Sequence, residues 1–382
     1  MQTVAAWFMR VVLVLALAAA LAACEFKKEI KHQGEPATPL PSAAQTPPVA
    51  ADDDATQPLD AAQFLRFGRA EPLPKAPGSV RLATYNIENL FDDVDDPSLS
   101  GDQDDAAMTK PLANRIAAAD ALRRLDADIV ALQEVESEAA LRWFIDLHAS
   151  DLGYEHIISL DAGDNRGIEQ SVISRLPLSN PRQWLNEELG GVHPELYGTQ
   201  PNWEAGNPIR FRRSPLAVDV TLPGDEIITL IVVHQKSGRH AGYWREAEAR
   251  RIVAIAAEIQ AQHPDRAMFI LGDFNAEPTA ASVQMYLDPA TFGITGVGSS
   301  APPAPWVCRF TGLSGPEIVS HASGRRIDLI LSNAAASKMV VPDSAFVLGT
   351  TAAPEGIPFD VARELPGYAS DHYPVSIDLQ PQ

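Results

Sequence analysis

Ala217-Val218-Asp219-Val220-Thr221-Leu222-Pro223-Gly224-Asp225-Glu226-Ile227-Ile228-Thr229-Leu230-Ile231-Val232-Val233 is two apolar, β-branched runs joined by a Pro-Gly-Asp turn. So short a connection leaves no room for a crossover helix, so the pair predicts an antiparallel hairpin. Further apolar runs lie at Val80 to Tyr85, Ile129 to Leu132, Ser171 to Ser174, Met268 to Leu271, Ile327 to Leu331 and Val375 to Leu379. Amphipathic helical patterns separate several of them. After Tyr243, Ile252, Ile255, Ala256 and Ile259 recur at the spacing of one buried helix face, and before Asp128 the stripe is Leu112, Ile116, Ala119 and Leu122. Strands interleaved with helices, some neighbours antiparallel, predict an α/β domain with mixed sheets over residues 79–382.

Upstream of that domain the chain changes character. Arg10 precedes an apolar run from Val11 to Ala23 that is too short to span a bilayer as a helix, and reads as an export signal, residues 1–23. The run ends in Leu21-Ala22-Ala23-Cys24, which resembles the lipobox of bacterial lipoproteins; that resemblance implies acylation of Cys24 and a membrane anchor. Glu25 in the next position points to outer-membrane sorting within the cell envelope. Residues 24–78, rich in Pro, Ala and Gln with an Asp52-Asp53-Asp54 cluster, predict a flexible tether; Ala61 to Phe67 is the one stretch apolar enough to dock on the domain.

The composition, 46% hydrophobic and 21% charged over 382 residues, is that of a globular chain rather than a disordered one. A net charge of −20 repels polyanions at long range, which argues against tight nucleic-acid binding without cations. Cys24 and Cys308 are the only cysteines, so no disulfide framework is expected and Cys308 reads as a free, partly buried thiol.

Chemistry-bearing residues cluster where the strands stop. The endings are Thr84-Tyr85-Asn86-Ile87-Glu88-Asn89-Leu90-Phe91-Asp92, Leu132-Gln133-Glu134-Val135, Val233-His234-Gln235-Lys236-Ser237, Gly272-Asp273-Phe274-Asn275, Arg326-Ile327-Asp328 and Ser370-Asp371-His372-Tyr373-Pro374. Each alone is an ordinary turn or cap. Together, and in this order, they resemble the endonuclease/exonuclease/phosphatase (DNase I-like) superfamily, over the whole span from Ser79 to Leu379. The opening motif and Arg166-Gly167-Ile168-Glu169 are most similar to exported bacterial members.

The resemblance implies a four-layer α-β-β-α sandwich of two mixed sheets and a metal-dependent hydrolysis of phosphoesters. It places Glu134 on a divalent ion, Mg²⁺ with Mn²⁺ or Ca²⁺ as alternatives, with Asn86 beside it and Asp371 as a second metal-site or orienting carboxylate. Asp273 corresponds to the residue that orients or deprotonates the attacking water, and Asn275 to a donor toward a phosphoryl oxygen. His372, backed by Asp328, contacts the phosphoryl group as base or cationic clamp. His234, with Glu169 as its expected partner, corresponds to the group that protonates the departing oxygen. A hard ion wants oxygen ligands, which agrees with this set.

Arg210, Arg212 and Arg213 form the densest basic cluster; together with Lys236 they are candidates for gripping a substrate phosphate, or else mark a solvated strand start. The remaining histidines, His321 among them, read as surface or loop residues. The expected partner is a phosphoester, nucleic acid first, with phospholipid, sphingomyelin or a small phosphoester as alternatives and a non-catalytic surface-binding lipoprotein as the reading from another class. No obligate protein partner is implied.

Overall fold

The computed structural model describes residues 66–96, 106–296, 298, 300–309, 315–351, 361, 365 and 367–381. The signal peptide, Cys24 and most of the tether fall outside them. In chain order the strands are β1 (Val80–Leu90), β2 (Ile129–Val135), β3 (His156–Leu160), β4 (Glu169–Ser174), β5 (Leu178–Gln183), β6 (Glu188–Val192), β7 (Leu196–Tyr197), β8 (Gln200–Pro201), β9 (Pro208–Arg210), β10 (Leu216–Thr221), β11 (Ile227–His234), β12 (Ala267–Asp273), β13 (Val307–Cys308), β14 (Asp328–Ser332), β15 (Phe346–Val347) and β16 (Val375–Leu379).

Twelve of them build two six-stranded sheets, ordered β15-β16-β1-β2-β4-β3 and β13-β14-β12-β11-β10-β5. Each sheet is mixed. β1 and β2 are parallel, linked through the helix Leu112–Leu125, and β11 and β12 are parallel, linked through the helix Gly242–Gln262; the other pairings are antiparallel, the β10–β11 hairpin included.

Alternation along the strands makes the layers, because successive side chains point to opposite faces. Leu82, Ile129 and Ala131 of the first sheet share one core with Val218, Leu230, Val232 and Phe269 of the second. Their neighbours Ala83, Val130 and Leu132 turn outward against Leu122, Leu141 and Phe144 of the helices Leu112–Leu125 and Glu138–His148. On the far side Ile231, Val233 and Ile270 pack against Ile252, Ile255, Ala256 and Ile259. The result is the expected four-layer sandwich.

Three expectations need correction. The helix Leu112–Leu125 forms where predicted but docks a different face: Ala118, Ala121, Leu122 and Leu125 are buried, while Leu112 and Ile116 are exposed. Small alanines let this helix lie close to the sheet, which a stripe drawn through the largest side chains misses. Residues 66–78, placed in the tether by composition, lie against the domain. Phe67 packs on the central core, Arg69 exchanges backbone hydrogen bonds with Val347 and Gly349, and the Leu73 carbonyl accepts from Arg81. Cys308 is free, as expected, but fully buried rather than partly so. Among the described residues no helix is long and apolar enough to cross a membrane.

Candidate active site

Sheet register brings three of the strand-end groups into one row. His234 ends β11, Asp273 ends β12 and Asp328 begins β14; His234 is the parallel partner of Asp273, and Asp273 the antiparallel partner of Asp328. Asn86 and Glu134, from β1 and β2 of the other sheet, face them, and the segment before β16 supplies Asp371 and His372. Strand tips of both sheets therefore converge on one buried polar centre.

Asp273 is its hub. Its Oδ1 accepts the Asn275 N–H at 2.7 Å, and its Oδ2 accepts Asn275 Nδ2 at 3.0 Å and Asn86 Nδ2 at 3.3 Å. Two imidazoles flank the same Oδ2, His234 Nε2 at 3.4 Å and His372 Nε2 at 3.8 Å. Asp328 holds His372 from behind, its two oxygens 2.9 and 3.0 Å from Nδ1, which fixes that nitrogen as the protonated one and turns Nε2 toward Asp273. Asn86 thus braces Asp273, not Glu134 as expected, and its Oδ1 is taken by the Glu88 N–H.

The two histidines are driven apart electrostatically. Burial alone would push the His372 imidazole down, but the carboxylates of Asp328, Asp371 and Asp273 outweigh it and raise it well above the ordinary histidine value. Burial and the positive charges of Arg213 and Arg166 push His234 well below that value. Asp273 is raised to about 6 by burial, against the pull of His372. Asp371 is lowered: His372, His321 and Lys110 overcome the opposing effect of its burial.

Several positions differ from the sequence reading. Glu169, expected behind His234, accepts the Ala162 N–H instead, and burial raises it to about 8; the carboxylates near His234 are Asp273 and Glu134, the latter at 3.8 Å. Arg210 sits on β9 and pairs with Glu188 of β6, away from the centre. Arg212 and Arg213 both reach the buried carboxylate of Asp164, at 3.2 and 3.0 Å. Lys236 turns its Nζ to the Ser237 carbonyl and the Trp244 ring rather than toward Asp273.

Two residues quoted above within motifs, Arg166 and Glu88, and one read as a loop residue, His321, join the site. Arg166 pairs with Glu134 at 3.0 Å, so Asp164 and Glu134 together gather three guanidiniums beside the centre. Glu88 accepts from Tyr368 Oη and from the Asp371 N–H. His321, read as a loop residue, packs edge-on to His372 with ring centroids 4.5 Å apart and lies 3.3 Å from Asp371. A bridge between residues 321 and 372 delivers it, a contact between distant segments that leaves no local trace in sequence.

Backbone strain concentrates here. Glu88, Asn89, Glu134 and Asn275 all carry positive φ, a conformation that costs a residue with a Cβ on the order of 1–2 kcal/mol and persists only where surrounding contacts impose it. The donor chemistry fits a hard divalent cation. Glu134 and Asp371 offer carboxylate oxygens at the rim, and among the described residues Asp273, Asp328 and His372, and likewise His321, Asp371 and His372, have ligand atoms within 4.8 Å of one another.

The model of the Endonuclease/Exonuclease/phosphatase family matches residues 83–372, from inside β1 to the second site histidine. Among solved structures, the human Nocturnin catalytic domain with bound sulfate anion superposes with a TM-score of 0.50 at 15% identity, covering 80% of this chain and 96% of that one. ANGEL2, a 2′,3′-cyclic phosphatase in complex with adenosine-2′,3′-vanadate, gives 0.50 at 14% identity, over 81% and 97%. The endonuclease/exonuclease/phosphatase from Bacteroides vulgatus gives 0.47 at 14% identity, over 80% and 99%. For Nocturnin and ANGEL2, identities this low speak to the fold alone. No curated protein matches the sequence.

Proposed function

The chain belongs to the endonuclease/exonuclease/phosphatase family of phosphoester hydrolases, and on that premise we propose that it is a Mg²⁺-dependent phosphodiesterase that cleaves nucleic acid outside the cytoplasm. The observation that carries the reading is the pair of imidazoles of opposite charge tendency, His234 and His372, on one carboxylate oxygen of Asp273. Groups whose environments separate their proton affinities are the ones that divide acid and base work.

In this reading Asp273 takes the proton of the attacking water, since burial has raised its basicity toward the working range. His372, protonated and locked by Asp328, rests its Nε2–H on a phosphoryl oxygen and offsets the charge that develops there. Asn275 and Asn86 keep the Asp273 carboxylate oriented. His234 is held neutral, so it gives the departing oxygen a hydrogen bond while solvent supplies the proton. A Mg²⁺ at Glu134 and Asp371 would add Lewis-acid stabilisation of the phosphoryl oxygens.

Substrate and location rest on the sequence. Cys24, the lipid anchor and the outer-membrane address of Glu25 lie outside the described residues, and the resemblance of the opening motif to exported nucleases favours nucleic acid. One observation favours a second reading, hydrolysis of phospholipid: Trp203 is 84% exposed, and Val192 and Leu196 nearby in the chain are exposed as well, so this segment offers apolar side chains to a bilayer surface. The test is hydrolysis by the full chain of plasmid DNA, RNA, sphingomyelin and bis(4-nitrophenyl) phosphate, with Mg²⁺ and with chelator. Metal-dependent loss of DNA or RNA supports the proposal. Turnover of lipid alone moves the substrate to the second reading, and inactivity on every substrate overturns the phosphodiesterase assignment.

A further inference from the structure

Beside the reacting centre, and bordered by Asn275, lies a cavity of about 490 Å³ into which Arg239, Arg245 and Arg325 project, with Glu277 the one carboxylate on its wall. Three guanidiniums against one carboxylate is an unusual excess for a chain of net charge −20. The arginines next to Glu134 are neutralised, Arg166 by Glu134 and Arg212 and Arg213 by Asp164. Those of the cavity are not: among the described residues no carboxylate lies within ion-pairing distance of Arg239, Arg245 or Arg325.

Their other contacts are modest. Arg325 Nε donates to Ser323 Oγ at 2.9 Å; Arg245 Nη1 donates to the carbonyls of Lys236 at 2.8 Å and Gly238 at 3.0 Å, and its Nε is buried without a partner. Burial lowers the Arg245 guanidinium, and the positive charge of Arg325 adds to it, against the more distant negative charges of Glu248 and Asp273, which pull the other way without forming an ion pair. A planar fork of donors recognises phosphate bidentately, and several forks around one cavity specify a dianion better than a carboxylate.

The position supplies the rest. Asn275 lines the cavity and also donates Nδ2 to Asp273 Oδ2, so whatever fills the cavity is contiguous with a phosphoester at the centre. We propose that the cavity is a second phosphate subsite, which takes the phosphate neighbouring the scissile one and so selects substrates that carry at least two. The inference rests on the phosphodiesterase reading above for its substrate, while the binding it predicts can be measured without turnover. Either a terminal phosphate or the next internal phosphate of an oligonucleotide has the required chemistry.

The test compares the full wild-type chain with the double variant Arg239→Ala, Arg325→Ala, both positions exposed and outside the reacting centre. Calorimetric titration with thymidine 3′,5′-bisphosphate and with thymidine 5′-monophosphate reads binding. Hydrolysis of bis(4-nitrophenyl) phosphate, TpT, pTpT, TpTp and TpTpT reads selection. The bisphosphate should bind the wild type more tightly than the monophosphate by roughly tenfold or more, the scale of a charge-assisted contact to phosphate. The double variant should lose that margin while keeping its kcat/KM on bis(4-nitrophenyl) phosphate. Preference for pTpT or TpTp assigns a terminal phosphate, and preference for TpTpT an internal one. Equal binding of the two nucleotides by the wild type, or an undiminished margin in the double variant, overturns the proposal. If the double variant fails to fold, Arg239→Ala alone serves the same comparison. Failure of every diester to hydrolyse would sink the phosphodiesterase reading and leave the binding comparison standing.

Discussion

Gly272 stands one residue before Asp273, where β11 and β12 run parallel, and its partner across the ladder is Val233. Its φ of +141° is open to glycine, and a Cβ built there would meet the Val233 carbonyl oxygen at 1.9 Å. Gly272→Ala therefore forces the strands apart by about 1.5 Å before ordinary contact returns, in a core already packed to density. Overpacking adds roughly 1–3 kcal/mol and the backbone conformation roughly 1–2, so the loss is on the order of 2–5 kcal/mol. In a domain of this size that lowers Tm by about 10 °C. The next rung of the ladder is His234 opposite Asp273, so the same displacement opens the 3.4 Å approach of His234 to that carboxylate. A shift of that size costs on the order of 100-fold in rate. Thermal unfolding by circular dichroism and kcat/KM on bis(4-nitrophenyl) phosphate measure the two effects. A variant that melts within about 2 °C of wild type and keeps more than about a third of its activity would refute the argument that this glycine sets the spacing of the site.

Asp328→Asn leaves the shape of the His372 contact but removes the charge that holds the imidazole protonated; kcat should fall by roughly 10²–10³ with the melting curve little changed, and unaltered kcat would exclude Asp328 as the group that orients His372. Glu169 has its folded pKa raised to about 8 by burial, above its unfolded value near 4.5, so the unfolded chain releases this proton first and stability falls as pH climbs between those values. Glu169→Gln removes that slope: urea unfolding should find the variant gaining on wild type from pH 5 to pH 8 by a few kcal/mol, and parallel stability curves would contradict the assignment. His321→Ala removes a ring edge from His372 and a partner from Asp371, so kcat should drop by about tenfold or more; full activity would make His321 a bystander.

The apolar runs were legible because a buried strand leaves an unbroken stretch of Val, Ile and Leu, and all eight runs singled out correspond to strands. β5 through β9 escaped notice, apart from the basic cluster at Arg210, because they are mostly polar and exposed and interrupted by Pro181, Gly190 and Gly191, with only isolated apolar contacts such as Leu178, Leu189 and Ile209 in place of an unbroken core face. Asn86, Glu134, His234, Asp273, Asn275, Asp328, Asp371 and His372 were singled out because motifs at successive strand endings, taken in order, resemble a known family, and the structure does bring these side chains together. What failed were partnerships. Glu169 bonds to Ala162, Asn86 braces Asp273 and Arg210 belongs to a separate two-stranded ribbon, since distances between segments are set by packing that a linear pattern does not encode. His321 and the cavity arginines were out of reach for the same reason.

The central strand β1 lies between β2 and β16, and His372 stands three residues ahead of β16. A ribosome releases residue 86 long before residue 379, so a growing chain carries Asn86, then Glu134, then Asp273 before the histidine that completes the row exists. The row of side chains is therefore complete only once the last strand of the chain has paired beside the first.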